Sequence, residues 1–324
     1  MIGGRKPDPD TIVQAILTGD HNHVRTVIGE PIEVVVSSLR HALVPARGRT
    51  FLSGDYAGIQ ARTVLALAGQ HDKTALMASG ADVYCDMATQ IYKHPVTAKE
   101  HPEKRQTGKN SVLGLGFQMG APKFQWKYAQ EQPLEFCQHV VRTYRKEWAP
   151  RVPYLWYGLQ NAAVRTVWDG SPHDSHGVVY RMVDGWLTAT VQTGGVIWYP
   201  NPRTVRTPKP WAVEEWDDPY QDAITVSGEK NGHWQNDIHI FGGMLTQNVV
   251  TRIEVDMINR AGILCEQNGM PIVLTVHDEL IAEPLQQDAD EEAFKQIMLD
   301  VHQSVRDISI PVNVETWSGD RYRK

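Results

Sequence analysis

The run Ile272-Val273-Leu274-Thr275-Val276-His277-Asp278-Glu279-Leu280-Ile281-Ala282 constrains the fold more than any other stretch of the chain. Two short apolar segments flank three consecutive polar residues, the pattern of a β-hairpin with buried arms. A carboxylate enclosed there is costly to keep charged unless it binds a cation. Successive side chains of a strand face opposite ways, so Asp278 is the expected metal ligand unless a turn brings Glu279 to the same side. An ordinary polar hairpin tip would have the same composition.

A second carboxylate stands far upstream. Asp55 follows an apolar strand, Thr50 to Gly54, and precedes a helical pattern from Gly58 to Ala68. That puts its carboxylate at a strand terminus with the Tyr56 carbonyl facing the same cleft, a setting that suits Mg²⁺, which takes one or two carboxylates plus phosphate oxygens. An Asp capping the following helix is the plain alternative. Between the acidic sites, a helical segment from Arg105 to Phe117 repeats Arg105, Lys109, Leu113 and Phe117 every four residues, which makes one stripe with cations at its start. Such a stripe would hold nucleotide phosphates with Arg105 and Lys109 and set Leu113 and Phe117 under base and sugar. An amphipathic helix with both apolar residues in the core reads equally well. Gly108, Gly114 and Gly116 each cost a helix about 1 kcal/mol relative to Ala, which implies close approach of a ligand or a helix built to move. Together the three segments form the parts list of metal-assisted phosphoryl transfer.

Composition narrows the class. A chain of 324 residues, 41% hydrophobic, buries a substantial core as two subdomains or one elaborated domain. Neither a membrane-length apolar run nor a signal peptide is visible, so a cytoplasmic protein without membrane partners is expected. Cys85, Cys137 and Cys265 lack CxxC spacing and read as buried reduced thiols. The net charge of −6 excludes nucleic-acid coating through bulk charge. Any DNA contact is local, as around Lys99, His101, Lys104, Arg105 and Lys109, where a solvated charged loop would look alike.

Residues 1–9 read as a flexible tail, and Asp10 as the cap of a helix from Thr11 to Leu17. Pro31 opens a helix whose apolar face is Ile32, Val35, Val36, Leu39 and Leu43. Further helices are expected over Asp82 to Tyr92, Pro133 to Trp148, Val152 to Val167, Leu245 to Cys265 and Asp290 to Val305. Val178 to Tyr199 alternates in the β manner around Asp184-Gly185 and Gly194-Gly195, while Asn201 to Gly232 resembles a long surface excursion. A last strand is expected from Val312 to Trp317. The ten tryptophans are expected mainly in the core.

Three segments carry a specific resemblance. Gly54-Asp55-Tyr56-Ala57-Gly58-Ile59-Gln60-Ala61-Arg62 resembles motif A of the family A DNA polymerases, the DNA polymerase I type. Arg105 through Phe117, RQTGKNSVLGLGF, resembles their motif B, and Thr275 through Leu280, TVHDEL, their motif C. The likeness covers most of the chain from about Asp8 and points to bacteriophage members, through Ser38 to Leu43, Gly242 to Asn248 and Trp317 to Lys324. It implies an α+β fold: a right-hand palm of antiparallel sheet with helices plus helical fingers, lacking thumb and exonuclease domain. The implied domains are palm 10–68 with motif A, fingers 69–165 with motif B, a β-rich insertion or palm extension 166–240, and palm 241–324 with motif C.

The resemblance further implies a DNA-directed DNA polymerase catalytic region, acting on primer-template DNA and dNTPs. Asp55, the Tyr56 carbonyl and Asp278 would hold two Mg²⁺ ions, with Mn²⁺ able to substitute and Glu279 in support. Arg105 and Lys109 would bind the triphosphate, Lys109 also serving catalysis, and Leu113, Phe117, Gln60 and Tyr56 would shape the nucleotide pocket. Arg40 and His277 would lie near the primer end, Asn248, or else Gln247, near the nascent base pair in the minor groove, and Arg62 would also contact DNA. Gln60 and Phe117 stand where the family usually has Glu and Tyr, so weakened sugar discrimination is expected, and Leu113 stands where many members have an aromatic residue, so altered base stacking in the closed fingers is expected. By that resemblance either the chain is a fragment, or the family's thumb and exonuclease come from a separate polypeptide, which the net acidity favours. A scaffold subunit that has lost catalysis and a metal-dependent nuclease are the competing readings.

Overall fold

The computed structural model describes residues 9–208, 220–305 and 309–322. Residues 1–8 of the expected tail, Trp211, Trp216, Arg323 and Lys324 lie outside the described residues, as do the side chains of Asp10 and Arg40. The chain forms two compact units, one of residues 1–55, 261–298 and 314–324, the other of residues 56–260 and 299–313.

The first unit is built on a four-stranded sheet in the order Val314–Gly319, Phe51–Tyr56, Glu279–Ala282, Ile272–Val276. Strand Phe51–Tyr56 runs antiparallel to Glu279–Ala282 with Leu52 opposite Ala282 and Asp55 opposite Glu279. Glu279–Ala282 returns antiparallel on Ile272–Val276, leaving His277 and Asp278 as the turn of the expected hairpin. Phe51, Leu52, Leu280, Ile281 and Ala282 are buried, so strands Phe51–Tyr56 and Glu279–Ala282 match their apolar composition. The other arm of the expected hairpin is not buried: Val273 and Leu274 of Ile272–Val276, the last strand of the sheet order, are exposed. Gly54 lies under Phe294 and Met298 of helix Glu291–Asp300; a Cβ there would collide with the Met298 sulfur.

Helices Pro9–Leu17, His21–Val27 and Pro31–Ser38 gather Ile12, Ala15, Val24 and Val34 into a small separate cluster. This corrects the expected face of the third helix. Val34 is the apolar residue it buries among the described residues, while Ile32, Val35, Val36, Leu39 and Leu43 are exposed. Three helices of two turns or so enclose only the residues along their common axis, too little to cover a five-residue stripe.

In the second unit, helices Ile59–Leu67, His71–Ala78, Val83–Tyr92, Pro102–Leu115, Ala121–Tyr128, Leu134–Thr143 and Val152–Asp169 surround Met87, Leu115, Trp148, Trp156 and Leu159, all fully buried. The expected helix to Trp148 ends at Thr143 and continues as a π-turn, Tyr144–Trp148. Four antiparallel strands follow in chain order, His173–Ser175, Val178–Val183, Trp186–Thr190 and Val196–Tyr199. The expected surface excursion is largely sheet instead. Arg203–Pro208, Tyr220–Lys230 and His233–Ile240 pair antiparallel, because the β-branched run Ala223 to Ser227 supplies a buried strand inside a charged, proline-rich context.

The tryptophans also depart from expectation. Trp148 and Trp156 are core residues, each indole N–H satisfied, by Asp86 and by the Gly116 carbonyl. Trp126, Trp168, Trp186, Trp198 and Trp234 are exposed, Trp186 and Trp198 edge to face at 6.2 Å across neighbouring strands. All three thiols are buried and free, as expected, and burial raises the Cys265 thiol to about 12. Among the described residues no helix is long and apolar enough to cross a membrane.

Candidate active site

The acidic motifs meet in the first unit. Opposite residues of an antiparallel pair share a face, so Asp55 and Glu279 point the same way, and Asp278 sits in the adjoining turn, outside strand alternation. Their environments differ. Asp55 and Asp278 are half-buried, whereas Glu279 is 1% exposed. Ser53 Oγ donates to Glu279 Oε1 at 2.5 Å and the Tyr322 hydroxyl to Oε2 at 2.7 Å, so both carboxylate oxygens accept from buried hydroxyls. Glu279 is thus a strut within the sheet, beside Asp278 in sequence and opposite Asp55 in register. His277, at the tip, is exposed and has φ of 55°, a left-handed turn conformation.

The donor set fits a hard cation. Among the described residues no three of His, Cys, Asp and Glu form a ready cluster, so a closed site of the zinc type is not built here. Two carboxylates at neighbouring strand ends, with the Tyr56 carbonyl at the end of its strand, are the oxygen donors that Mg²⁺ or Mn²⁺ accepts when substrate phosphates and waters complete the shell.

The cationic helix belongs to the second unit and runs Pro102–Leu115, starting earlier and stopping sooner than the stripe predicted. Phe117 therefore lies past the helix, beyond Gly116. Arg105 donates through Nε to Asp82 Oδ2 at 2.5 Å, and its guanidinium lies 5.3 Å from the Tyr84 ring centre. Lys109 Nζ lies 6.0 Å from the same ring. The glycines serve neighbouring protein: a Cβ on Gly108 would strike the Tyr84 carbonyl oxygen, one on Gly114 the Tyr128 ring, and one on Gly116 would touch Tyr144 and Val64. Leu113 and Phe117 are half-buried, and Gln60 is exposed on helix Ile59–Leu67.

The remaining candidates are dispersed. Arg62 donates to the Ala57 and Pro311 carbonyls at 2.8 and 2.6 Å, and burial lowers its guanidinium below the usual value. It ties two stretches of backbone together. Asn248 and Gln247 lie on helix Gly242–Gln267, Gln247 exposed and Asn248 donating to the Tyr199 hydroxyl at 3.1 Å. That helix starts at Gly242 and Gly243, whose amides donate to Gln160 and Gln118 at 2.8 Å. Arg40 lies in the 3₁₀ turn Leu39–Ala42. Sequence reasoning missed Ser53, Asp82, Tyr84 and Tyr322. Asp82 was visible only as the first residue of an expected helix, since its pairing with Arg105 spans 23 residues.

No family model matches the chain. It is 25% identical over 281 residues to the DNA polymerase of Bacillus phage SP02, an alignment covering 85% of this chain and 41% of the phage protein. Its structure is similar to the POL domain of Pol1 from M. smegmatis in complex with DNA primer-template and dNTP, with a TM-score of 0.57 and 15% identity over 88% of this chain and 42% of that one. Both findings support the resemblance read from the three motifs. The structural likeness, with the mixed helices and antiparallel sheets, bears out the α+β fold. The chain spans about two fifths of the length of the curated relative it matches.

Proposed function

We propose that this chain is the catalytic region of a DNA-directed DNA polymerase, transferring nucleotides from dNTPs to a primer 3′-hydroxyl on a DNA template. The observation that carries the reading is the strand register that sets Asp55 opposite Glu279 and so seats Asp278 in the next turn. Two acidic motifs, distant in sequence, share one end of one sheet. Asp55 and Asp278, with the Tyr56 carbonyl, would hold divalent cations, Mg²⁺ in the first place. Held by these groups, such ions would supply positive charge to acidify the primer hydroxyl and offset the charge of the triphosphate and departing pyrophosphate.

The chain's own groups do the rest. Glu279, held by Ser53 and Tyr322, fixes the strand from which the Asp278 turn projects. Arg105 and Lys109 bind the triphosphate as a fork and a point charge, and Leu113, Phe117 and Gln60 border the nucleotide. His277, Arg40, Asn248 and Gln247 contact primer and nascent pair. Palm 10–68 and 241–324, fingers 69–165 and an intervening β-rich region 166–240 remain the proposed domains. A separate polypeptide supplies thumb or exonuclease functions. Its support is the exposed row Ile32, Val35, Val36, Leu39 and Leu43, an apolar surface of the kind that marks protein contacts.

Primer extension on a recessed duplex with Mg²⁺ and four dNTPs tests this, comparing wild type with Asp278→Ala, alone and with the product of the neighbouring upstream reading frame. Extension that depends on Asp278 supports the reading. Its absence under both conditions would refute it in favour of a scaffold.

A further inference from the structure

Arg105 is oriented by a carboxylate that has a second task. Asp82 Oδ2 accepts from Arg105 Nε at 2.5 Å, while Oδ1 accepts from the amides of Tyr84 and Cys85 at 3.0 and 3.1 Å. One oxygen caps helix Val83–Tyr92 and the other pins the first turns of helix Pro102–Leu115. The Tyr84 ring lies beside both Arg105 and Lys109, at 5.3 and 6.0 Å. Gly108 makes this possible, because any side chain there would push the helix away from the Tyr84 carbonyl and Ala88.

An arginine grips a phosphate through two parallel N–H bonds, which requires its planar fork to face the right way. A pin on Nε fixes that direction and engages neither terminal nitrogen. On the reading that this helix binds a triphosphate, we infer that Asp82 is a positioning residue for the nucleotide, holding Arg105 for two-pronged contact with phosphate. Asp82 also brings a negative charge near an incoming anion. Its side chain and that of Arg105 are 33% and 32% exposed, so water screens that repulsion, whereas the ordering of a long flexible side chain is a cost the pin removes from binding. Partial burial opposes charge on Asp82, yet Arg105 and the Cys85 amide hold its carboxyl below the usual range. Arg105 is raised in turn, first by its bond to Asp82.

The test is calorimetric titration of the chain with inorganic tripolyphosphate. Asp82→Asn keeps the cap through its carbonyl oxygen, since Asn caps as well as Asp, but presents amide N–H donors to the Arg105 N–H. Asp82→Ser also caps and lacks the pin. Both variants are expected to melt at the wild-type temperature and to bind tripolyphosphate about tenfold more weakly, the order of magnitude of one preorganised charged contact. In an Arg105→Lys background the same substitutions should add no further loss, because Asp82 acts through the guanidinium. Unchanged or tighter binding by Asp82→Asn would overturn the inference, as would an equal loss in the Arg105→Lys background. A wild-type chain that binds no tripolyphosphate would remove the triphosphate reading, and the positioning role with it; binding by wild type with an unaffected Asp82→Asn removes the positioning role alone.

Discussion

Tyr322→Phe isolates a single hydroxyl at the acidic end of the sheet. The Tyr322 ring is 2% exposed in a cluster with Phe51 and Ile281, with Trp317 5.9 Å away between ring centres, and Phe preserves all of that packing. The substitution removes the donor 2.7 Å from Glu279 Oε2 and leaves a 1%-exposed carboxylate with Ser53 Oγ on its other oxygen. A hydrogen bond to a charged group contributes about 1.5–3 kcal/mol, so local opening of this strand pair should become about ten- to a hundredfold more frequent. Hydrogen exchange read by mass spectrometry over Glu279–Ala282 and Phe51–Tyr56 measures that frequency directly. Ser53→Ala should act in the same direction. Exchange within about twofold of wild type in both variants, a change of only ~0.4 kcal/mol, would refute the view that the two hydroxyls brace Glu279.

Other perturbations test other parts of the account. Gly108→Ala gains about 1 kcal/mol of helix propensity but drives a Cβ into the Tyr84 carbonyl; overpacking against backbone costs about 1–3 kcal/mol, so the melting temperature and tripolyphosphate affinity should both fall. His176, half-buried with Ser175 Oγ 2.8 Å from its Nδ1, is held below its ordinary 6.5 by burial. Its contribution to stability is full above 6.5 and is lost as pH falls toward the lower folded value; a urea midpoint that drops between pH 7.5 and 5 in wild type, and drops less in His176→Asn, is the expected pattern. On the proposed function, Gln60→Glu with Phe117→Tyr, the residues usual in the polymerases whose motifs these segments resemble, should raise the preference for dNTP over rNTP about tenfold or more in primer extension, since an apolar pocket wall rejects an added hydroxyl only weakly.

The hairpin Ile272–Ala282 was legible because its period and its polar tip are local properties of eleven consecutive residues. The burial of Glu279 was not, because Ser53 and Tyr322 lie 226 and 43 residues away and no local pattern announces them. The glycines of the cationic helix read as room for a ligand or for movement, yet the groups that approach them are Tyr84, Tyr128 and Tyr144 of the same unit, which no local pattern announces. The strands within residues 201–232 were hidden because prolines and charges surround a short run, Ala223 to Ser227, with β-branched Ile224, Thr225 and Val226 at its centre, and five buried residues suffice for a central strand. The face of helix Pro31–Ser38 shows that periodicity reports amphipathicity without saying whether a partner covers it.

The central claim, that Asp55 and Asp278 hold the same cations, is tested most directly by iron cleavage mapping. Fe²⁺ in place of Mg²⁺, with ascorbate and peroxide, cuts the backbone beside its ligands, and the fragments identify the cut sites by mass. Cuts are predicted around Asp55 and around Asp278 together, both suppressed by excess Mg²⁺ and both lost in either Asp55→Ala or Asp278→Ala. Cuts at only one of the two segments, or cuts at one that survive loss of the other aspartate, would contradict a shared metal site.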